Sequence, residues 1–405
     1  MVEAIRIGVS LPQTGRDARG AWAEHYNTYR LWVDAVNSSG GMLGRPVELV
    51  VYDDGSRPAR SVENYERLIA EDRVDLLFAP ARTRTIEQVA PVTEDAQRLL
   101  FIGHGSGHGM FQQGRRYLFL CWPGTDFDKP RSFFEWATTL PEGRRPRRVA
   151  LLHPEDPRPT HLDDPFHGIN QHNAWIVLGT RHYADEFGVE LVHDELYPDE
   201  PSGGHEAHYA ALFGRVKAAR PDAVVITNYQ LRGGWRQTES LIGAYHQAGL
   251  DDALLWLFRI PAAHGQGEGD RAGDPLAPTR MDPLYEGAFT FDEWDPRSPY
   301  PPSRAFTDAF LGAYDYAPDN VSAGVYAACQ VLQQAVEGAR TFDGPGLREY
   351  LLSNSFETVM GTYRYGDNGV PRARMWLFQI IDGERRIVHP EEARTAEASV
   401  PWASP

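Results

Sequence analysis

The sequence predicts an α/β fold of two Rossmann-like lobes with parallel sheets, and three observations carry that expectation. Short apolar β-runs alternate with amphipathic segments from Ala4 to Ile380, and alternation of these lengths builds βαβ units. A chain of 405 residues exceeds one comfortable core, so two domains are the default. The alternation breaks at Trp122-Pro123-Gly124-Thr125 and then restarts, which marks a crossing between lobes.

Composition narrows the classes. A hydrophobic content of 42% and a charged content of 24% are ordinary for a soluble globular protein. No apolar run in the sequence approaches the roughly 18–20 residues that span a bilayer. A net charge of −16 argues against a nucleic-acid surface, which is normally basic. The same charge suits a monomer kept apart by self-repulsion, with a dimer as the alternative. Basic residues are almost all Arg, with Lys129 and Lys217 the only lysines. Cys121 and Cys329 fit no metal spacing and are expected to be buried structural thiols. No basic n-region followed by an apolar h-region precedes the first strand. The expectation is therefore either a cytoplasmic protein or one whose leader was removed before this numbering begins.

In chain order, Ala4–Ser10 reads as a strand and Trp22–Val36 as a helix that ends at Gly40-Gly41, glycine being favoured just past a helix C-terminus. Strand Val47–Tyr52, helix Ala59–Glu71, strand Val74–Phe78, helix Thr85–Ala96 and strand Leu99–Ile102 follow. Tyr117–Cys121 closes the first series. The second opens with strand Arg148–Leu152, a Pro-, His- and Asp-rich loop His153–Pro165, helix Phe166–Phe187 and strand Glu190–Leu196. Helix His205–Arg220, strand Ala223–Thr227, helix Trp235–Ala248 and strand Leu254–Phe258 continue it. Ala262–Pro283 is rich in Gly, Pro and Asp and reads as an irregular loop. Strand Gly287–Phe291 returns to the first lobe, followed by helices Ser303–Tyr314 and Ser322–Gly338 and one around Pro345–Leu352. Phe356–Tyr365 reads as the last crossing, Arg374–Ile380 as the final strand and 391–405 as a poorly ordered tail. In open α/β sheets ligands sit beyond the carboxyl ends of the strands. The loops Pro80–Thr85 and Gly103–Gly107 are therefore the first candidates for function.

Several stretches together resemble the type I periplasmic binding-protein family, in the branch of the leucine/isoleucine/valine-binding protein. They are Asn37–Asp54 (NSSGGMLGRPVELVVYDD), Ala90-Pro91-Val92, Phe187–Pro198 (FGVELVHDELYP), Arg220–Tyr229 (RPDAVVITNY) and Phe356–Asp367 (FETVMGTYRYGD). The resemblance covers nearly the whole chain in the family's order. It implies two lobes joined by three hinge strands that close on a ligand, with residues 1–121 plus 292–358 in the first and 122–291 plus 359–390 in the second. It implies a solute-binding protein that hands its ligand to the membrane subunits of an ABC transporter, in the periplasm or cell envelope.

The resemblance also points to site residues. In family members the loop after the fourth strand carries serines for the ligand carboxylate; here it reads Ala81-Arg82-Thr83-Arg84-Thr85. Helix N-termini favour anions, and arginine forks suit carboxylates. Arg82, Thr83 and Arg84 are therefore candidate ligand contacts, the alternative being arginines solvated or paired with Asp53 and Asp54. Gly105 and Ser106 match a second clamp on the same group. Trp22, Tyr229 and Tyr326 match aromatic positions around the cleft, and Asp126 is a candidate polar contact. The family's amino-acid binders carry a Glu after the strand matching Leu254–Phe258, where this chain continues Arg259-Ile260-Pro261. A buried ammonium without a counter-charge is costly, so an organic or aromatic acid, or an amide, fits at least as well as an α-amino acid. His104 and His108 lack a Cys or carboxylate at ligand spacing, so no metal and no cofactor is expected.

Two other functions compete. One is a cytoplasmic sensor of the same fold, resembling the amide-sensing regulator that binds a transcription antiterminator. The other is an enzyme, invited by His104, His108, His153, His161, His167 and His172. No Ser/His/Asp or Cys/His set can be assembled from the sequence to support it.

Overall fold

The computed structural model describes residues 3–155, 171–198, 205–228, 234–260, 276, 281–373 and 375–401. The loops expected over 156–165 and 262–280, apart from Leu276, lie outside the described residues, as do His161, His167 and Tyr229.

Strand β1 (Ile5–Leu11) leads to a short helix α1 (Ala18–Ala21), a π-helical turn Trp22–Tyr26 and helix α2 (Asn27–Ser38). Then come β2 (Val47–Asp53), α3 (Pro58–Ala70), β3 (Leu76–Phe78), α4 (Thr83–Asp95), β4 (Leu100–Ile102) and β5 (Leu118–Leu120). The three short strands read LLF, LFI and LFL, and every residue in them is buried. Continuous burial is what a parallel strand covered on both faces requires. Proline at the start of α3 supplies the φ a first helical residue needs. The five strands are parallel in the order β2-β1-β3-β4-β5.

Beyond α5 (Arg131–Thr139) come β6 (Arg148–Glu155), α6 (Gln171–Glu186), β7 (Glu190–Pro198), α7 (His205–Ala218), β8 (Ala223–Ile226), α8 (Gly234–Gln247), β9 (Leu254–Leu257) and β10 (Phe289–Asp292). Alternate residues of these strands enter two different cores. Val149, Leu151, Ala223, Val225 and Trp256 pack into one, and Ala150, Leu152, Val224, Ile226 and Leu255 into the other. A period of two with both faces apolar places helices on each side of the sheet.

The chain continues with α9 (Pro301–Tyr314), α10 (Asn320–Ala339), α11 (Gly344–Ser353), β11 (Ser355–Thr358), β12 (Gly361–Arg364), β13 (Trp376–Ile381) and β14 (Glu384–His389). Asp319 caps α10 by accepting from the Ser322 N–H at 2.8 Å. Two compact units result: Met1–Thr125 with Glu293–Arg374, and Asp126–Asp292 with Met375–Pro405.

Three expectations are corrected. The segment Phe356–Tyr365 is not a crossing but the antiparallel hairpin β11–β12 of the first unit. Gln334 ties it there, donating to the Glu357 carbonyl at 2.8 Å, and Gln330 accepts from the Val359 N–H at 2.9 Å. The last crossing accordingly moves from 358/359 to Arg374/Met375. The parallel core of the second sheet is extended by an antiparallel pair, β13 and β14, giving the order β14-β13-β10-β9-β8-β6-β7. The tail is ordered through 401: the Ser399 N–H donates to Gln379 Oε1 at 2.8 Å, and Val400 is buried in the core. Cys121 and Cys329 are buried free thiols, as expected.

Candidate functional site

The carboxyl edge of the first sheet carries five loops, and the chain reverses direction across the sheet between β1 and β3. Such a reversal opens a crevice where ligands bind in open α/β sheets. The loops here are built from inside. Asp53 Oδ1 accepts from the backbone N–H groups of Gln13, Thr14 and Gly55 at 2.9, 3.2 and 2.8 Å, and Oδ2 accepts from Thr14 Oγ1 at 2.7 Å. Asp54 is buried and accepts from the Ser56 N–H at 2.8 Å. Both carboxylates are thus engaged with loop backbone and not with Arg82 or Arg84. Arg82 instead approaches Asp17 in the loop after β1, at 3.8 Å.

Burial raises the Asp54 pKa to about 6, against the Ser56 N–H, which lowers it. A folded pKa above the unfolded value of about 4 means the folded state holds the extra proton between those pH values. Stability contributed by this group is therefore present at pH 4 and lost as pH rises through 6. Asp54→Asn is expected to raise the thermal midpoint at pH 7.5 and to leave it nearly unchanged at pH 4. Equal shifts at the two pH values would refute this.

The loops after β3 and β4 pack on one another. Gly105 has φ +116, in the region that favours glycine, and a Cβ there would lie 3.1 Å from Thr83 N and Thr83 Oγ1. A Cβ on Gly107 would meet Thr83 Cγ2 at 2.5 Å. The sequence Gly105-Ser106-Gly107 therefore lets this loop rest on the first residue of α4. The loop thus lies against the first turn of α4, where the Thr85 and Ile86 N–H groups donate to the Arg82 carbonyl, each at 2.9 Å. Arg82 and Arg84 flank Thr83, both exposed, and Ser106 is buried. Five of the residues singled out from sequence, Arg82, Thr83, Arg84, Gly105 and Ser106, are brought together.

The remaining candidates divide. Trp22 stacks on Tyr26 with ring centroids 3.8 Å apart, inside the π-helical turn. Tyr326, on α10, packs on Phe306 at 4.5 Å. Asp126 belongs to the second unit and is fully buried, paired with Lys129 Nζ at 2.7 Å and His172 Nδ1 at 2.6 Å. Its charge is answered within its own unit. Arg259, where the family's Glu would stand, exchanges hydrogen bonds with Asn228, its N–H donating to Oδ1 at 2.9 Å.

A family model described as periplasmic binding protein matches residues 4–385. The chain belongs to the periplasmic binding protein family. An amino acid binding protein of Pseudomonas aeruginosa is 23% identical over 371 residues, covering 90% of this chain and 86% of that one. An ABC transporter substrate-binding protein of Desulfitobacterium hafniense, solved in complex with Leu, superposes with TM-score 0.69 at 17% identity, over 95% of this chain and 100% of that one. A solute binding protein of an ABC transporter from R. palustris, solved with benzoate, gives TM-score 0.62 at 17% identity, over 99% of each chain. The fold expected from sequence is thus shown, and this periplasmic binding protein is a solute-binding protein.

Its first unit holds a further grouping that sequence reasoning missed. Glu24 and His25, from the π-helical turn, meet His104 from the loop after β4, with donor atoms of all three within 4.8 Å of one another. The carboxylate companion that spacing denied to His104 thus comes from far upstream in the chain. Desolvation raises the Glu24 pKa to about 7, aided by nearby Asp319 and opposed by Arg82. Burial holds His25 well below its ordinary value, so its imidazole is neutral. His108, by contrast, is a polar loop residue as expected, its Nδ1 2.7 Å from Thr125 Oγ1 and its Nε2 2.9 Å from Gln112.

Proposed function

We propose that this binding protein takes up a small organic acid, gripping its carboxylate with the first unit, and delivers it to an ABC importer in the periplasm or cell envelope. The observation that carries the reading is the seating of Gly105-Ser106-Gly107 on Thr83 at the start of α4. It supplies two hydroxyls, backbone donors and a helix dipole of one polarity, with Arg82 and Arg84 adding charge. Two relatives in the same fold, solved with benzoate and with 3,4-dihydroxybenzoic acid, support the aromatic-acid class. Arg259 in place of a carboxylate supports it too. A second reading, an α-amino acid, is favoured by Glu24, a carboxylate of the same unit able to answer an ammonium, and by the relative solved with Leu.

A thermal-shift series with benzoate, benzamide and leucine separates these. A solute that binds only the folded protein stabilises it by RT ln(1 + [L]/Kd), about 2.7 kcal/mol at a hundredfold excess over Kd. Benzoate is expected to raise the midpoint by several degrees and benzamide to leave it in place. Ser106→Ala and Thr83→Val are each expected to weaken an acidic ligand by about tenfold or more, the scale of a hydrogen bond to a charged group. A shift that survives intact in the Arg82→Ala/Arg84→Ala double variant would rule out the carboxylate grip.

A further inference from the structure

We infer that Glu24, His25 and His104 form a binding site for a divalent transition-metal ion of the Zn2+ class within the first unit. Three independent observations converge. The three side chains offer two imidazole nitrogens and a carboxylate oxygen within 4.8 Å, the donor set that Zn2+ and its neighbours prefer over Mg2+ or Ca2+. His25 is 2% exposed, yet among the described residues neither of its ring nitrogens has a hydrogen-bond partner. A buried polar side chain left in that condition costs about 1–3 kcal/mol, and an ion removes the cost. Glu24 and His25 are consecutive residues of a π-helical turn, Trp22–Tyr26. Such turns are rare and concentrate at functional positions. Its wider turn also reduces the angle between successive side chains, which lets neighbours 24 and 25 converge.

The surroundings favour a cation on balance. Asp319 repels the Glu24 carboxylate, and a divalent ion relieves that repulsion; Arg82 opposes it from an exposed, screened position. His104 is held from behind by its ring contact with Trp122, centroids 6.0 Å apart, and lies 5.5 Å from the His25 ring. Bonds of about 2.0–2.1 Å in a tetrahedral ion set donors roughly 3.3 Å apart. Donors within 4.8 Å of one another therefore close by at most about 1.5 Å as the ion enters. Three protein ligands leave a fourth position for water or a solute oxygen, the arrangement of open rather than structural zinc sites.

The site is independent of the carboxylate reading, and it is tested without any solute. Tag-free full-length protein is equilibrated with ZnSO4, dialysed, and its metal content measured. Close to one ion per chain is expected, and Co2+ loaded in the same way is expected to give the visible d–d absorption of a low-coordinate N/O site. Losing a direct ligand is expected to weaken Zn2+ retention by at least about 100-fold, beyond the 10–100-fold typical of outer partners. His25→Gln, His104→Ala and the near-isosteric Glu24→Gln are each measured that way, with circular dichroism confirming the fold. Should His25→Gln not fold, Glu24→Gln and the Co2+ spectrum decide. Retention below about a tenth of an ion by the parent protein, or equal retention in Glu24→Gln and His104→Ala, would overturn the site.

Discussion

Gly324→Ala is expected to destabilise the protein by about 3 kcal/mol, although helix propensity alone predicts a gain of nearly 1 kcal/mol at an α10 interior position. The sign decides between the two. A Cβ at Gly324 would sit 2.3 Å from the Gly103 carbonyl oxygen and 2.4 Å from the Trp122 ring. In return, a Cβ on Gly103 would lie 2.6 Å from Val325 Cα. The obstacles are backbone and a buried indole, neither of which can move aside cheaply. α10 would have to withdraw from the loop after β4, in which His104 is the next residue after Gly103 and Ser106 the third. Urea unfolding is expected to show a lowered midpoint, together with weaker solute binding by the fraction still folded. A stabilised variant would show that the close approach carries no energetic weight.

Asp126→Ala is expected to cost more, about 3–5 kcal/mol, because it removes one partner of a buried ion pair. Lys129 is 4% exposed, with Asp126 its bonded carboxylate at 2.7 Å and the rings of Phe258 and Phe291 about it at 5.2 and 5.0 Å. The aromatic faces attract the ammonium more weakly than the carboxylate does. Pairing Asp126→Ala with Lys129→Met is expected to restore much of the loss, since the ion pair is then removed whole. A double variant no more stable than the single one would exclude that explanation. The pH dependence has a definite sign. Burial alone would raise the Asp126 pKa, but His172 and Lys129 hold it well below the usual carboxylate range. Its stabilisation is therefore present above about pH 4 and is lost as pH falls toward the folded pKa.

The order of strands and helices was legible because apolar runs of fixed period announce themselves, and the site loops because they follow buried strands such as LLF and LFI. Thr83 and Ser106 could be placed together on the strength of the family's pattern, which the fold obeys. The burial of Asp126 against Lys129 was not legible, because whether a carboxylate after a crossing is buried on a lysine three residues away depends on packing. The hairpin at 355–364 reads as a crossing in the sequence because two short strands joined by Val359-Met360 look like one extended segment. Glu24 and His25 were invisible for a different reason. Their convergence with His104 requires a local change in helix type, and no residue pattern in the segment Trp22–Tyr26 announces a π-helical turn.

The route of the chain sets a condition on biosynthesis. Strands β13 and β14 complete the second sheet only after the whole of 293–374 has been made and has gone into the other unit. Until then β10 is a bare sheet edge, buried in the finished protein, of the kind that pairs with other chains. A chain made only as far as β10 thus holds a second unit with a missing rim, which selects for chaperone cover or a delay in folding until β13 and β14 emerge.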